Sequence, residues 1–381
     1  RQMWNQMRMN PTDLADLSAA TLTFLMNGTT PAGNWSGLFQ RGDRVRLRFI
    51  NAASNSFYDV RIPGLKLTVI QADGQDVEPV TVDEFRFGPG ETYDVMVEPQ
   101  DDAYTIFAQS MERSGYARGT LAVQQGLIAP VPEPDPPEWL TMKDMMGAMG
   151  GGAMGHDMMK MDSMGQTKMD HSQMSGGMAM DHSMHGMQQG SENPLAKPSS
   201  TIRHARTEYG ASVDQRVDTP STNLDDPGIG LRNLSQRGLR PQGHRVLTLA
   251  DLKSIDGVLD DRRPPARELE LHLTGNMERY SWSFDGLEFG KSTPVSLRHN
   301  ERVRIILQND TMMTHPMHLH GMWSELETDQ GELRVRRHTI PVQPAQRISY
   351  LTTPHDLGRW AWHCHLLFHM DAGMFREVVV S

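Results

Sequence analysis

The sequence predicts an all-β chain, two sandwich- or barrel-like units joined by a methionine-rich linker. Three observations predict it. Short runs of alternating apolar and polar residues, broken by Gly, Pro, Asn and Asp, fill both ends of the 381 residues. One of these runs, RVRLRFIN at residues 44–51, parallels RVRIILQN at residues 302–309. Between the two ends the composition changes: fifteen of the 28 methionines fall between Met142 and Met187. The expected organisation is a first unit at residues 1–125, a proline-bounded linker and connector at 126–245, and a second unit at 246–381.

In the first unit, Thr21 to Met26 is β-rich and ends on the turn signal Asn27-Gly28. Val45 to Ile50 alternates as a half-buried strand should. Leu65 to Ile70, Thr92 to Val97 and Tyr104 to Phe107 read as further strands, and prolines between 130 and 137 close the unit. Residues 138–200 lack the β-branched and aromatic residues that build a core, so disorder is expected there. Clustered thioethers suit copper(I), and His156, His171, His182 and His185 would add copper(II) ligands; the bland alternative is a flexible spacer. Residues 201–245 read as an extended connector. From Arg245 the pattern is β again. Glu268 to Leu273 and Tyr280 to Phe284 alternate, and Asp285-Gly286 signals a hairpin. His272 and His299 read as ordinary strand or loop residues, and His338 and His355 fit no ligand position.

The chemistry is concentrated near the C-terminus. The only cysteine, Cys364, stands between His363 and His365, with His369 and Met374 after it. Thiolate, imidazole and thioether are soft donors that favour copper, and blue-copper sites combine two histidines, a cysteine and a weak methionine. That segment lacks one histidine, and His315-Pro316-Met317-His318-Leu319-His320 offers three candidates. Residues two apart in a strand share a face. His318 and His320 therefore go together, as do His363 and His365, while Cys364 faces the other way. A formal net charge of −10 argues against nucleic acid. One cysteine leaves no internal disulfide framework. No apolar run reaches the roughly 20 residues of a membrane span.

These two motifs resemble the C-terminal domain of multicopper oxidases. The resemblance implies a cupredoxin-like Greek-key fold for both units. It implies that His315, Cys364, His369 and Met374 hold a type 1 copper, that His318 is a type 2 ligand, and that His320, His363 and His365 are type 3 ligands. Trp360, Trp362, Leu366, Leu367 and Phe368 are expected to form a dry shell. Carrying the 44–51 register forward puts Phe57, Val60 and Ile62 in the places of His315, His318 and His320, and Ala108 near that of Cys364. The first unit is then a redox-silent scaffold. The Met-Asp-His-Ser repeats, the stretch at residues 223–230 and both histidine motifs look similar to the periplasmic copper-resistance protein A family. That implies oxidation of copper(I), and of phenols as further reductants, with dioxygen as acceptor.

The family's first domain would bring two more His-x-His pairs, yet no histidine precedes His156. The chain, which opens on Arg1, is expected to be a fragment that encodes the type 2 and type 3 sites only in part. A copper-sequestering protein without turnover is therefore the competing expectation. A two-domain nitrite reductase is a third, disfavoured by the adjacent His-x-His and His-Cys-His pairs.

Overall fold

The computed structural model describes residues 14–147 and 195–381. Of residues 138–200, expected to be disordered, 148–194 lie outside the described residues, with the copper capture expected of them; residues 138–147 contradict the expectation, Met142–Met146 forming a short helix with Leu140 and Met145 buried. Within them the chain forms strands β1 (Trp35–Leu38), β2 (Val45–Ile50), β3 (Tyr58–Arg61), β4 (Leu67–Ala72), β5 (Gln75–Val82), β6 (Glu84–Phe87), β7 (Thr92–Val97), β8 (Ala103–Ser110) and β9 (Tyr116–Ala122). A second set follows: β10 (Arg267–Asn276), β11 (Ser281–Phe284), β12 (Val295–Leu297), β13 (Val303–Asn309), β14 (His315–Leu319), β15 (Ser324–Glu327), β16 (Leu333–Arg337), β17 (Thr339–Val342), β18 (Arg347–Thr352), β19 (Gly358–Cys364) and β20 (Phe375–Val380).

The two sets repeat one topology. In the first, sheets run β1-β9-β8-β3-β6 and β2-β7-β4-β5. In the second, β12-β20-β19-β14-β17 matches the former strand for strand, and β13-β18-β15-β16 matches the latter, extended by β10 and β11. A parallel edge recurs too, β1 on β9 and β12 on β20, and the added strand β10 also runs parallel to β13. Alternation explains each sandwich: β2 shows every second residue to solvent, while β13, covered on both sides, is buried throughout.

The ladders correct one expectation. Val60 pairs with Ala108 as His318 pairs with His363, so the counterpart of Cys364 is Gln109, the partner of Asp59, and not Ala108. The expectation was one residue out of register, which reverses the face. Gln109 is fully buried and bonds the Asp135 backbone twice, at 2.9 and 3.0 Å. Not every ligand position is thus replaced by an apolar or small side chain. Phe57, Val60 and Ile62 are buried apolar residues, as expected. Thr21 to Met26 forms no strand. Its only bridge joins Met26 to Thr29 across the Asn27-Gly28 turn, and no neighbouring strand offers it a ladder.

The units meet on buried charge. Arg337 places its guanidinium against Asp73 (2.7 Å) and Glu91 (2.8 Å) and bonds the Tyr93 hydroxyl (3.0 Å). The connector packs across both units: Arg240 pairs with Glu84 and Asp135, and Ser221 bridges to Gln346.

Candidate metal centre

Strands β14 and β19 lie side by side, with Met317 opposite Cys364 and His318 opposite His363. Alternation then sorts the side chains. His315 and Cys364 point to one face, and His318, His320, His363 and His365 to the other. His369 comes from a short helix, Leu367–Asp371, directly after β19. It joins the Cys364 face because that helix folds back over the sheet.

On that face three donor atoms converge in a fully buried place. Cys364 Sγ lies 3.5 Å from His315 Nδ1 and 3.8 Å from His369 Nδ1, and the two nitrogens are 3.1 Å apart. The hydrogen bonds around them fix which nitrogens are free. Asn309 spends its amide on the Met313 and Val342 carbonyls, so its Oδ1 accepts from the Thr311 hydroxyl at 2.8 Å. Thr311 Oγ1 in turn accepts His315 Nε2–H at 2.7 Å, which leaves His315 Nδ1 as a lone pair. Asp16 Oδ2 lies 3.0 Å from His369 Nε2 and orients that ring similarly. Two facing lone pairs and one thiol cannot satisfy each other, and a cation between them would. Burial pushes both imidazoles down and the thiol up. The rings are thus neutral, ready to coordinate, and the thiol loses its proton only to a metal. Met374 is fully buried beside them, its carbonyl accepting Cys364 N–H at 3.1 Å. Two nitrogens and a sulfur suit copper by donor chemistry, and the Met374 thioether would be the weak fourth donor.

The opposite face holds four imidazoles. Ring centroids are 4.5 Å apart for His318 and His320, 5.2 Å for His320 and His363, 5.6 Å for His363 and His365, and 5.8 Å from His318 to His365. His318 Nδ1–H donates to the His338 carbonyl at 2.7 Å, and His363 Nδ1–H to the Cys364 carbonyl at 2.9 Å. Both Nε2 atoms are left unprotonated, and that of His363 stands 3.1 Å from His320 Nε2. Burial pushes His318 down to about 4 and lowers His320, His363 and His365 as well. The buried His365 Nδ1 has no partner among the described residues.

Seven of the eight motif residues thus place their side chains in two groups, back to back across β14 and β19, and Met374 adjoins the first through its backbone. The dry shell is corrected. Trp362 and Leu366 are buried and Trp360 half-buried, but Leu367 and Phe368 are 39% and 45% exposed, because the short helix turns them outward. Trp282 fills the place instead, stacked on His369 at 3.8 Å between ring centroids. Sequence reading missed Asp16, Trp282 and the backbone role of His338, since each reaches the site only through tertiary contact.

The first unit touches the second group at Gly90. Gly90 has φ +81°, and a Cβ there would lie 2.5 Å from His365 Cδ2. We expect Gly90→Ala to displace the His365 ring and to cost about 1–3 kcal/mol, from the left-handed backbone and the collision together. Thermal unfolding and His365 ring resonances in NMR spectra check this.

Comparison with known proteins bears on both groups. Residues 262–381 and residues 3–126 each match a family model described as multicopper oxidase. Copper resistance protein A of Escherichia coli is 52% identical over 404 aligned residues, covering 100% of this chain and 63% of that protein. Copper resistance protein A of Pseudomonas syringae pv. tomato is also 52% identical, with the same 100% and 63% coverage. The chain therefore spans somewhat under two thirds of the length of these curated relatives. Among solved structures, Fet3p, a multicopper oxidase that functions in iron import, superposes with a TM-score of 0.54 at 13% identity. It covers 91% of this chain and 57% of its own, a likeness of fold alone.

Proposed function

Because the chain belongs to the multicopper oxidase family, we propose that it acts as a copper-dependent oxidase in copper resistance, taking electrons from copper(I). Phenols are further reductants, dioxygen is the acceptor, and the periplasm is the place of action. No helix among the described residues is long and apolar enough to cross a membrane. The observation that carries the reading is the back-to-back arrangement of a buried sulfur–nitrogen site and a four-imidazole group.

His315, Cys364, His369 and Met374 would hold one copper, and His318, His320, His363 and His365 would contribute to a cluster on the other face. Copper bound in these places supplies one-electron exchange with the reductant and the reduction of dioxygen to water. The chain's own part is positional. Thr311 and Asp16 aim the two imidazoles by their outer nitrogens. Trp282, Trp362 and Leu366 exclude water from the sulfur. The backbone on either side of Cys364 joins its sulfur covalently to the rings of His363 and His365. The first unit, with Phe57, Val60 and Gln109 in the equivalent places, is the scaffold.

A second reading, copper storage without turnover, is favoured by one observation: among the described residues the two histidine motifs bring four imidazoles to the cluster face. Oxygen uptake by the copper-loaded chain decides. An oxidase consumes one dioxygen for every four copper(I) ions or four phenol oxidations. A chain that binds copper tightly and takes up no oxygen above the protein-free rate is a store.

A further inference from the structure

A second group of ligand-type side chains lies away from both copper-motif faces. His204 and Glu208 sit on the connector, at the 3-10 turn Arg206–Tyr209; His272 is on β10, and Asp310 follows β13. Their His204 Nδ1, His272 Nδ1, Glu208 Oε2 and Asp310 Oδ2 atoms all lie within 4.8 Å of one another. The nitrogen-to-oxygen distances are 2.7 and 3.5 Å from His204, and 3.2 and 2.8 Å from His272. Four ligands about 2.0–2.1 Å from a tetrahedral zinc stand roughly 3.3 Å apart.

The surroundings direct these atoms at a common centre. Glu208 and Asp310 are buried carboxylates, at 0% and 1% exposure, and among the described residues the rings of His204 and His272 face them. Each has its other oxygen taken: Glu208 Oε1 accepts Ala205 N–H at 2.7 Å, and Asp310 Oδ1 accepts Gln308 Nε2–H at 2.9 Å. Each imidazole has a carboxylate at its far nitrogen. His272 Nε2 is 3.0 Å from Glu270 Oε1, and His204 Nε2 is 3.4 Å from Asp218 Oδ1. Glu270 is itself neutralised by Arg347 at 2.7 Å. In the metal-free chain the near nitrogens donate to the carboxylates, His204 Nδ1–H to Glu208 Oε2 at 2.7 Å and His272 Nδ1–H to Asp310 Oδ2 at 2.8 Å; burial would lower His272, but its three carboxylate partners raise it to about 11. A divalent cation displacing those Nδ1 protons would meet two ring nitrogens and two carboxylate oxygens, all within 4.8 Å of one another, and would balance both negative charges.

We propose that His204, Glu208, His272 and Asp310 form a closed structural site for one zinc(II) ion. Imidazole nitrogen and carboxylate oxygen are both zinc donors, and four of them fill a tetrahedral sphere with no position left for substrate. The ion clips the connector to the second unit. Gly286, whose missing Cβ would lie 2.5 Å from the Thr207 carbonyl, permits the close approach. Through Asp310 the clip also braces Thr311, the residue that aims His315. Zinc binding displaces whatever protons the free imidazoles hold. The site uses no residue assigned to copper, so its fate is independent of the oxidase reading.

The test uses the full chain, stripped of metal, equilibrated with zinc(II) against a competing chelator, desalted and assayed for zinc by mass spectrometry. The expected result is one zinc fewer per chain in Glu208→Gln than in the wild type, with that zinc retained in Cys364→Ser. Losing a direct ligand should weaken binding by at least the ~10–100-fold typical of outer-shell partners. Equal zinc content in the wild type and Glu208→Gln overturns the proposal. Should that variant fail to fold, crystals of the wild type soaked in zinc decide alone. An anomalous peak between the His204 and His272 Nδ1 atoms supports the site, and peaks only elsewhere overturn it.

Discussion

Copper-loaded chain carrying Cys364→Ser is expected to be colourless where the wild type is intensely blue, and its oxidation of copper(I) should fall to the uncatalysed rate. The thiolate is the only sulfur anion the sequence can supply, and thiolate ligation gives a cupredoxin copper its colour. A serine hydroxyl keeps the shape but neither the softness nor the acidity that copper selects. Its hydroxyl can reach His315 Nδ1, which the sulfur approaches at 3.5 Å, so the fold should survive. Visible absorption, near-ultraviolet circular dichroism and oxygen uptake on one sample separate loss of the site from loss of the fold. A blue Cys364→Ser protein would remove the sulfur from the metal centre.

Arg337→Ala should be the most destabilising single change at the junction of the two units, by about 3–5 kcal/mol. Arg337 is fully buried, and Asp73, Glu91 and Tyr93 of the first unit converge on it. Burial alone would raise Asp73, but the guanidinium and the bonds it makes hold that carboxyl below its ordinary value. A depressed carboxylate contributes stability that is present above its unfolded pKa near 3.8 and is lost as pH falls through the lower folded value. The wild type should therefore lose stability in acid through Asp73, and Arg337→Ala should have lost that contribution already at neutral pH. Chemical denaturation at pH 7 and at about pH 2, below the unfolded value, measures both. A change below ~1 kcal/mol at pH 7 would mean that water replaces the guanidinium there.

Much of the site was legible because strand alternation is a local rule. The spacing of His318 to His320 and of His363 to His365, with Cys364 between, decides which side chains share a face before any fold is known. The repeat of residues 44–51 at 302–309 was legible for the same reason, and both sheets bear it out strand for strand. Further along, the register slipped by one residue, because loops between β3 and β8 differ in length from those between β14 and β19. Contacts between distant segments left no local mark. Asp16 precedes its partner His369 by most of the chain. The four residues around His272 come from the connector and two strands, with nothing in the spacing to join them. The buried Arg337 looks, in sequence, like one more charge on the alternating strand Leu333–Arg337.

The short helix that carries His369 is held from outside its own unit. Leu367 N–H donates to the Ser54 carbonyl at 2.9 Å, Phe368 N–H to Asn55 Oδ1 at 3.0 Å, and Asn55 also steadies Asp16 at 2.6 Å. A ligand loop braced this way has little freedom to relax when the charge at its centre changes by one electron. Low reorganisation energy, the quantity that sets how fast an electron hops at a given driving force, is then a property of the joint between the halves. A second unit prepared alone would keep every donor atom and still exchange electrons sluggishly.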